Sequence, residues 1–518
     1  MSEIKRALLS VTDKSNLENI AEALIARGVE IISSGGTRKY LEEKGIQVTD
    51  IQSVTGNPEA FGGRMKTLSF QVSSGILYRR GHTEDEQQLK ELNISSIDLI
   101  VVNLYEFEKT KANSNDLDKW IEAIDIGGPT MLRAAAKNFN AVTVLPDPKF
   151  YSKFLEEYTS TGTTTIDFRQ QMAVETFNMM ARYDLAIARA LSEKANDVDL
   201  ETQYFNVSER RVLRYGENPH QKAYVVPNGD GLANAKSLQG KELSYNNYLD
   251  ADAAINGCRE LSRVGNDLNV VTVVKHGNPC GQAAGKNMLQ VLERAWAGDP
   301  VSAFGGIICF NKEVDETIAD FFAKKFAEVI IAPSFSQGAR DKFQTKKNLR
   351  LLEHPVTAES EKYLVRSIDG GLLVQERDVE FETSGECPTD QKMSDSLVEL
   401  IGFGVLACKS LKSNSICLVK QNNGIYELVG AGMGNPNRLV SIQQAVEKAK
   451  ENGIEDFSDV LLISDAFFPF DDGVRLANKF GIKNVVQPGG SIKDDVVINA
   501  CNELGIAMVM TGKRHFNH

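Results

Sequence analysis

Residues 6–37 read RALLSVTDKSNLENIAEALIARGVEIISSGGT, and this stretch decides the fold of the first part of the chain. Arg6 to Val11 is an apolar run of strand length. Asn16 to Arg27 then spaces Leu17, Ile20, Leu24 and Ile25 along one helical face, with Asp13 and Ser15 as candidate caps. Val29 to Ser33 is a second strand, and it breaks into Ser34-Gly35-Gly36-Thr37 before another short helix. Strand–helix alternation of this kind predicts an open, mainly parallel sheet. Ligands of such sheets collect at the carboxyl ends of the strands, where the Gly- and Ser/Thr-containing loops fall here.

The rhythm continues outward. Ile97 to Asn103 is a strand ending at Leu104-Tyr105, and Asp125-Ile126-Gly127-Gly128-Pro129-Thr130 opens a helix from Met131 to Asn138. The glycines permit close backbone approach, and Pro129 suits a first helical turn. Residues 164–192 are helical, and the polar stretch 192–208 (SEKANDVDLETQYFNVS) marks the main boundary. The expected domains are residues 1–199 and 200–518. In the second, Val270 to Val274 is a buried strand that stops at a loop, Lys275-His276-Gly277-Asn278-Pro279-Cys280-Gly281. Val460 to Ile463 precedes Ser464-Asp465-Ala466-Phe467-Phe468-Pro469-Phe470-Asp471-Asp472. Helix Val474–Phe480, strand Asn484–Gln487, helix Asp494–Leu504 and strand Ile506–Met510 follow. A helix leads to the strand ending in Lys275, and another leads to Lys412-Ser413-Asn414-Ser415. This faint echo suggests two related lobes, roughly 200–375 and 376–518.

With 518 residues, the chain has room for about three to four globular units. Its 42% hydrophobic and 25% charged content is that of an ordinary globular protein. A net charge of −12 argues against general binding to nucleic acid or anionic membrane, but leaves small phosphorylated ligands open. The seven cysteines contain no C-x-x-C pair and are odd in number, so reduced thiols are expected. MSEIKRALLSV lacks the apolar core of a signal peptide, and no run approaches the ~20 apolar residues that span a bilayer. The expectation is a cytoplasmic protein.

Gly62-Gly63-Arg64-Met65-Lys66-Thr67 concentrates glycines, cations and a hydroxyl. Each such loop alone reads as a solvated turn. Together with Ser10–Lys14 and Ser34–Thr37 at one sheet edge, it reads as a phosphate cradle of backbone N–H groups and fixed cations. Asp125, Tyr105 and Lys137 suit general acid–base work, or else a capping aspartate beside an exposed basic helix face on which Arg133 and Lys137 stand at i, i+4. Leu213-Arg214-Tyr215-Gly216-Glu217-Asn218-Pro219-His220-Gln221 is dense in ligand-type residues without apolar periodicity. Lys275-His276 at a strand end suits oxyanion stabilisation and proton movement.

His276…Pro279-Cys280 evokes a zinc deaminase, but that signature needs H-x-E and P-C-x-x-C. Asn278 stands for the glutamate and Ala283 for the second cysteine, so zinc catalysis is rejected. Gly430-Ala431-Gly432-Met433-Gly434 mimics a dinucleotide fingerprint after a strand-like Tyr426–Val429, but Asn435 stands where the last glycine belongs. Phe467, Phe468 and Phe470 around Pro469 read as a sandwich for a flat heterocycle or as a hydrophobic plug.

These motifs together resemble the bifunctional purine-biosynthesis family that joins phosphoribosylaminoimidazolecarboxamide formyltransferase to IMP cyclohydrolase. The markers, in order, are SVTDK, SGGT, GGRMKTL, NLY, IDIGGPTMLRAAAKN, LRYGENPHQ, VVKHGNPCG, SNSICLV, SDAFFPFDD and GKRHFNH. The resemblance implies an α/β chain. Its N-terminal domain would be a methylglyoxal-synthase-like doubly wound parallel sheet that closes the formylated carboxamide ribonucleotide to IMP. By that analogy Lys66 polarises the formyl oxygen, and Asp125 and Tyr105 move protons, with Lys137 also catalytic. Thr12, Lys14, Ser34, Gly36, Thr37, Arg64, Thr67, Asn103, Gly127 and Gly128 would hold the nucleotide.

The C-terminal part would be two cytidine-deaminase-like lobes without zinc. They would move a formyl group from 10-formyltetrahydrofolate to the amine of 5-aminoimidazole-4-carboxamide ribonucleotide. His276 would accept the proton, with Lys275 and Asn414 assisting at the tetrahedral intermediate. Arg214, Tyr215, Asn247, Gly305, Glu328, Arg438 and Arg514 match nucleotide-binding positions; Phe304, Phe467, Phe470 and Asp472 match the folate side. The resemblance further implies a homodimer whose formyltransferase sites draw on both subunits, and no catalytic metal. The chain departs from the family at Ser69, Phe70, Ser73 and Ser74, where K-T-L-H-P…H-G-G is usual, and at Glu106, where N-L-Y-P-F has proline.

Overall fold

Leu8, Leu9, Ile100 and Val101 lie at the centre of a sheet covered on both faces, which is why their strands are continuous apolar runs. In the computed structural model, which describes residues 3–192, 194, 210–227, 231–357 and 363–518, the chain divides into two units, Met1–Ser208 and Glu209–His518. The boundary expected at 199/200 lies outside the described residues.

In the first unit, Arg6–Ser10 (β1), Glu30–Ser33 (β2), Thr49–Asp50 (β3), Leu99–Val102 (β4) and Thr143–Leu145 (β5) form a wholly parallel sheet. Its order is β3-β2-β1-β4-β5, so the winding reverses between β1 and β4. Helix Leu17–Ile25 buries Leu17, Ile20 and Leu24; Ile25, expected on the same face, is exposed. Helix Gly127–Lys137 starts before the expected Met131. The Asp125 carboxylate accepts a hydrogen bond from the Gly128 N–H at 3.0 Å, and Pro129 has no N–H to satisfy, so the first turn leaves few orphan donors. Ser69 keeps helix Phe70–Leu77 capped, accepting from the Val72 N–H at 3.1 Å, although the familiar His-Pro is gone.

In the second unit, Arg211–Leu213 (β6) pairs with Ala223–Val225 (β7). Lys236–Gln239 (β8), Asn269–Lys275 (β9), Asn278–Gly285 (β10), Gly306–Phe310 (β11), Ala327–Ala332 (β12) and Arg350–Glu353 (β13) form half of a large sheet. Tyr363–Ile368 (β14) and Gly371–Glu376 (β15) make a separate hairpin, inside which the expected 375/376 division falls. Ile416–Asn422 (β16), Ile425–Gly432 (β17), Leu461–Ser464 (β18), Asn484–Gln487 (β19) and Ala507–Met510 (β20) form the other half. The order is β20-β19-β18-β16-β17-β10-β9-β11-β12-β13-β8.

Each half repeats a helix, a hairpin, a helix, and then strands separated by helices. The halves meet where β10 and β17 pair antiparallel, and helices Tyr245–Leu261 and Ile401–Lys409 contribute to one shared core across that seam. The echo differs from the expected one. The counterpart of Lys275-His276-Gly277 is Asn422-Asn423-Gly424, a matching two-residue hairpin turn; Lys412–Ser415 instead precedes its strand. Pro279 and Cys280 belong to β10 rather than to a loop. Gly430 and Gly432 lie within β17. A methyl group on either would strike the backbone of helix Arg438–Glu451, so they serve close helix–sheet packing rather than a phosphate loop. No helix among the described residues is long and apolar enough to cross a membrane.

Candidate active sites

Asn103, at the end of β4, ties the reversal point together. Its Oδ1 accepts from the backbone N–H of Thr12 at 2.6 Å and of Asp13 at 3.0 Å, and its Nδ2 donates to the Asp13 carbonyl at 2.8 Å. Buried Thr37 does the same for helix Gly35–Glu43, donating to the Val11 carbonyl at 3.0 Å and accepting from the Val11 N–H at 2.9 Å. The N-terminus of that helix, Ser34-Gly35-Gly36, is thereby fixed beside β1, and Lys14 folds back on the Thr12 carbonyl at 3.3 Å. Ends of helices at such a crevice are anion sites.

The Gly62–Thr67 loop joins two helix starts. The Lys66 ammonium packs against Gly35, where the backbone φ is +48° and a methyl group would overlap it. The Thr67 hydroxyl packs against Gly127, and the Asp125 carboxylate against Gly128. Lys66 Nζ is 3.4 Å from Glu59, and Arg64 pairs with Glu122. A cavity of about 270 Å³ is lined by Ser34, Arg38, Asp50, Glu59 and Lys66. Another of about 840 Å³ is lined by Thr12, Tyr105, Lys109 and Glu122.

Burial pushes the Asp125 carboxyl up from its ordinary value, partly offset by the Gly128 and Gly127 N–H groups. Burial also pushes the Tyr105 phenol up, helped by the negative charges of Asp125 and Glu59, so it stays protonated at neutral pH. The Tyr183 hydroxyl accepts from the Asp125 N–H at 2.7 Å and donates to the Ala123 carbonyl at 3.3 Å, bracing that loop from helix Ile166–Ser192. Lys137 stands apart, exposed in the last turn of its helix, about 15 Å from Gly127 along the axis. One chain does not bring it to Asp125. Glu59, Glu122 and Tyr183 carry no motif that marks them in the sequence.

In the second unit the antiparallel seam sets the site. Because β9 and β16 run in opposite directions, the end of β9 and the start of β16 share one end of the sheet. Lys275 Nζ donates to the Gly305 carbonyl at 2.9 Å. Exposed His276 takes the first position of the hairpin turn, and the Gly277 N–H is anchored on Asp250 at 2.6 Å. Buried Asn247 closes a capping box with Ser244 and donates to Glu328 at 2.9 Å. The Glu217 carbonyl accepts from Asn246 at 3.3 Å, which holds the loop bearing Arg214 and Tyr215 at this helix start. The Arg214 guanidinium lies over the Tyr215 ring at 5.4 Å. Exposed Phe304 meets Phe326 at 5.4 Å between ring centres.

A second group gathers in the other half. Arg438 donates to Asn414 Oδ1 at 2.8 Å and to Asp465 Oδ1 at 2.7 Å; it reaches the Phe467 carbonyl at 3.4 Å. Asp465, wholly buried, also accepts from the Ser415 N–H at 3.0 Å. The aromatic loop splits in two. Phe468 enters the core, while Phe470 stays exposed under the Lys493 ammonium at 4.2 Å, with Asp472 exposed beside it. Exposed Arg514 follows on the C-terminal tail, over the Phe516 ring at 4.9 Å. Four adjacent strands carry the Lys275 and Asn414 groups, so roughly 14 Å separates them along the sheet edge. Asp250 and Asp465 organise these groups, and neither was a site candidate from the sequence, although Asp465 lies in SDAFFPFDD.

Residues 16–130 match the MGS-like domain, and residues 135–448 match the AICARFT/IMPCHase bienzyme. The chain belongs to the AICARFT/IMPCHase bienzyme family. It is similar to the bifunctional purine biosynthesis protein PurH of Persephonella marina, 42% identical over 525 residues, covering 99% of this chain and 100% of that one. The PurH proteins of Acetivibrio thermocellus and Bacillus subtilis are each 43% identical over 526 and 528 residues, again covering 99% of this chain and all of theirs. Among solved structures, a crystal structure of ForH is 32% identical, covering 37% of this chain and 99% of its own, with a TM-score of 0.35. In the bienzyme, then, the parallel-sheet unit contains the MGS-like domain and the large mixed sheet carries the Lys275 and Asn414 groups.

Proposed function

We infer that this bienzyme formylates 5-aminoimidazole-4-carboxamide ribonucleotide with 10-formyltetrahydrofolate and then closes the product to IMP. The observation that carries the reading is the pair of separate clusters: Lys66 and Thr67 against two helix starts, the second of which is capped by Asp125, and Lys275-His276 on a hairpin at the end of the large sheet.

For formyl transfer, the ribonucleotide's amine attacks the formyl carbon, the bond from that carbon to the folate nitrogen breaks, and the folate nitrogen takes up a proton. His276, exposed on its hairpin turn, accepts the amine's proton. Lys275 and Asn414 supply N–H donors for the developing oxyanion. Arg214, Tyr215, Asn247, Gly305, Glu328, Arg438 and Arg514 are proposed to hold the nucleotide. The exposed rings of Phe304 and Phe470, with Phe467 and Asp472, suit a flat folate head group.

For ring closure, the carboxamide nitrogen attacks the formyl carbon and the formyl oxygen leaves as water. Lys66 polarises that oxygen, Asp125 takes a proton from the attacking nitrogen, the protonated Tyr105 phenol donates one proton to the oxygen, and the formamide nitrogen gives up the second as the C–O bond breaks. Thr12, Lys14, Ser34, Gly36, Thr37, Arg64, Thr67, Asn103, Gly127 and Gly128 frame the phosphate and base.

We also propose a cytoplasmic homodimer and cytidine-deaminase-like lobes that use no metal. The distance of Lys137 from Asp125, and of Asn414 from Lys275, favours sites completed by a second copy. The test is direct. The purified chain, treated with a chelator and given both substrates, converts the carboxamide ribonucleotide to IMP with release of tetrahydrofolate. No tetrahydrofolate release would refute the formyl-transfer reading, and release without IMP would refute the closure reading.

A further inference from the structure

His515 sits one residue beyond Arg514 and is 7% exposed. Its Nδ1 lies 2.6 Å from Asp378 Oδ2 and its Nε2 lies 2.9 Å from Glu382 Oε2. A neutral imidazole has one N–H and cannot donate to both carboxylates, whereas the imidazolium donates to both. The other charged groups around it are Lys513, paired with Glu380 and 3.8 Å from Glu382, and Lys409, 3.6 Å from Asp378 and 3.0 Å from Glu260. Of these groups, the ring is the one whose ordinary pKa lies in the neutral range.

The tail that carries this ring braces the nucleotide group. The His515 backbone N–H donates to the Asp465 carbonyl at 3.0 Å, and the Asp465 carboxylate holds Arg438 and the Ser415 N–H. Asn517 and Ser413 exchange hydrogen bonds, 3.0 Å from the Asn517 N–H to the Ser413 hydroxyl and 2.9 Å from the Ser413 N–H to the Asn517 carbonyl. Lys412 reaches Asn517 Oδ1 at 3.1 Å.

We propose that His515 is a positioning residue of the formyltransferase site, an imidazolium clamped between Asp378 and Glu382 that fixes Arg514 and the Asn414 loop. The proposal rests on the nucleotide-binding reading of Arg514, Arg438 and Asn414 given above. Burial pulls the ring's pKa down, but the bonds to Asp378 and Glu382 outweigh it and hold the value above that of an ordinary histidine. A group raised in the docked state stabilises docking fully below its free value and loses that contribution as pH rises through the docked value. Nucleotide binding therefore weakens on the alkaline side.

The experiment measures KM for the carboxamide ribonucleotide in formyl transfer, from about pH 6 to about pH 9, with the circular-dichroism melting curve of each full-length variant as a folding control. In the unaltered enzyme KM rises about threefold or more in one step on the alkaline side of an ordinary histidine's pKa. In His515→Gln, KM is already at the high level at low pH and the step is absent, while kcat changes by less than about twofold. Glu382→Gln moves the step to lower pH. A flat KM in the unaltered enzyme, or a step that survives in His515→Gln, overturns the proposal. If the melting curve shows that His515→Gln has misfolded, an unshifted step in Glu382→Gln overturns it instead. Absence of any formyl transfer by the unaltered enzyme would refute the functional reading rather than the clamp.

Discussion

At the residue scale, Asp125 shows how burial suits a carboxylate to the proton-accepting role proposed for it. Its neighbours withdraw it from water, and the Gly127 and Gly128 N–H groups offset that in part. The acid limb of ring closure should therefore lie above the range of a free aspartate, with activity falling as pH drops through the raised value and the base takes up its proton. Asp125→Asn should remove that limb and lower ring closure by about 10²–10⁴-fold while leaving formyl transfer intact, as pH–rate profiles of both half-reactions will show. Asp125, Lys66 and Thr67 could be read from the sequence because they stand in short motifs whose glycines are needed for close approach. Glu59 and Tyr183 could not, because their roles come from a fold-back and from a helix far along the chain. Lys137 was legible as a cation on a helix, but its spacing from Asp125 placed it at the other end.

At the element scale, apolar runs located β1, β2, β4, β9, β18, β19 and β20 to within a residue or two. The turn after β9 was less legible. Two-residue hairpin turns favour Asn-Gly, as at Asn423-Gly424, and His276 takes that role at φ +53° without the usual signature. Missing the turn made β10 look like a loop and shifted the internal echo. Gly430–Gly432 only mimics a dinucleotide fingerprint, as Asn435 in place of its last glycine already argues, and these glycines lie flush against Ser441 and Ala445. Gly430→Val should therefore overpack the seam between β17 and its helix and cost about 1–3 kcal/mol, read as a lower urea midpoint with an unchanged slope.

At the scale of the whole molecule, the net charge of −12 coexists with local cationic clusters, which is how an acidic protein takes phosphorylated ligands. Each unit has its own core, whereas the two halves of the large sheet share one. The two chemistries should thus separate between the units. The most direct measurement follows carboxamide ribonucleotide, its formylated product and IMP in Lys66→Ala, in His276→Ala and in a mixture of the two. Lys66→Ala should accumulate the formylated nucleotide without IMP, and His276→Ala should close supplied formylated nucleotide but make none. The mixture should restore IMP. Loss of both steps in either variant, or of neither, would contradict the account.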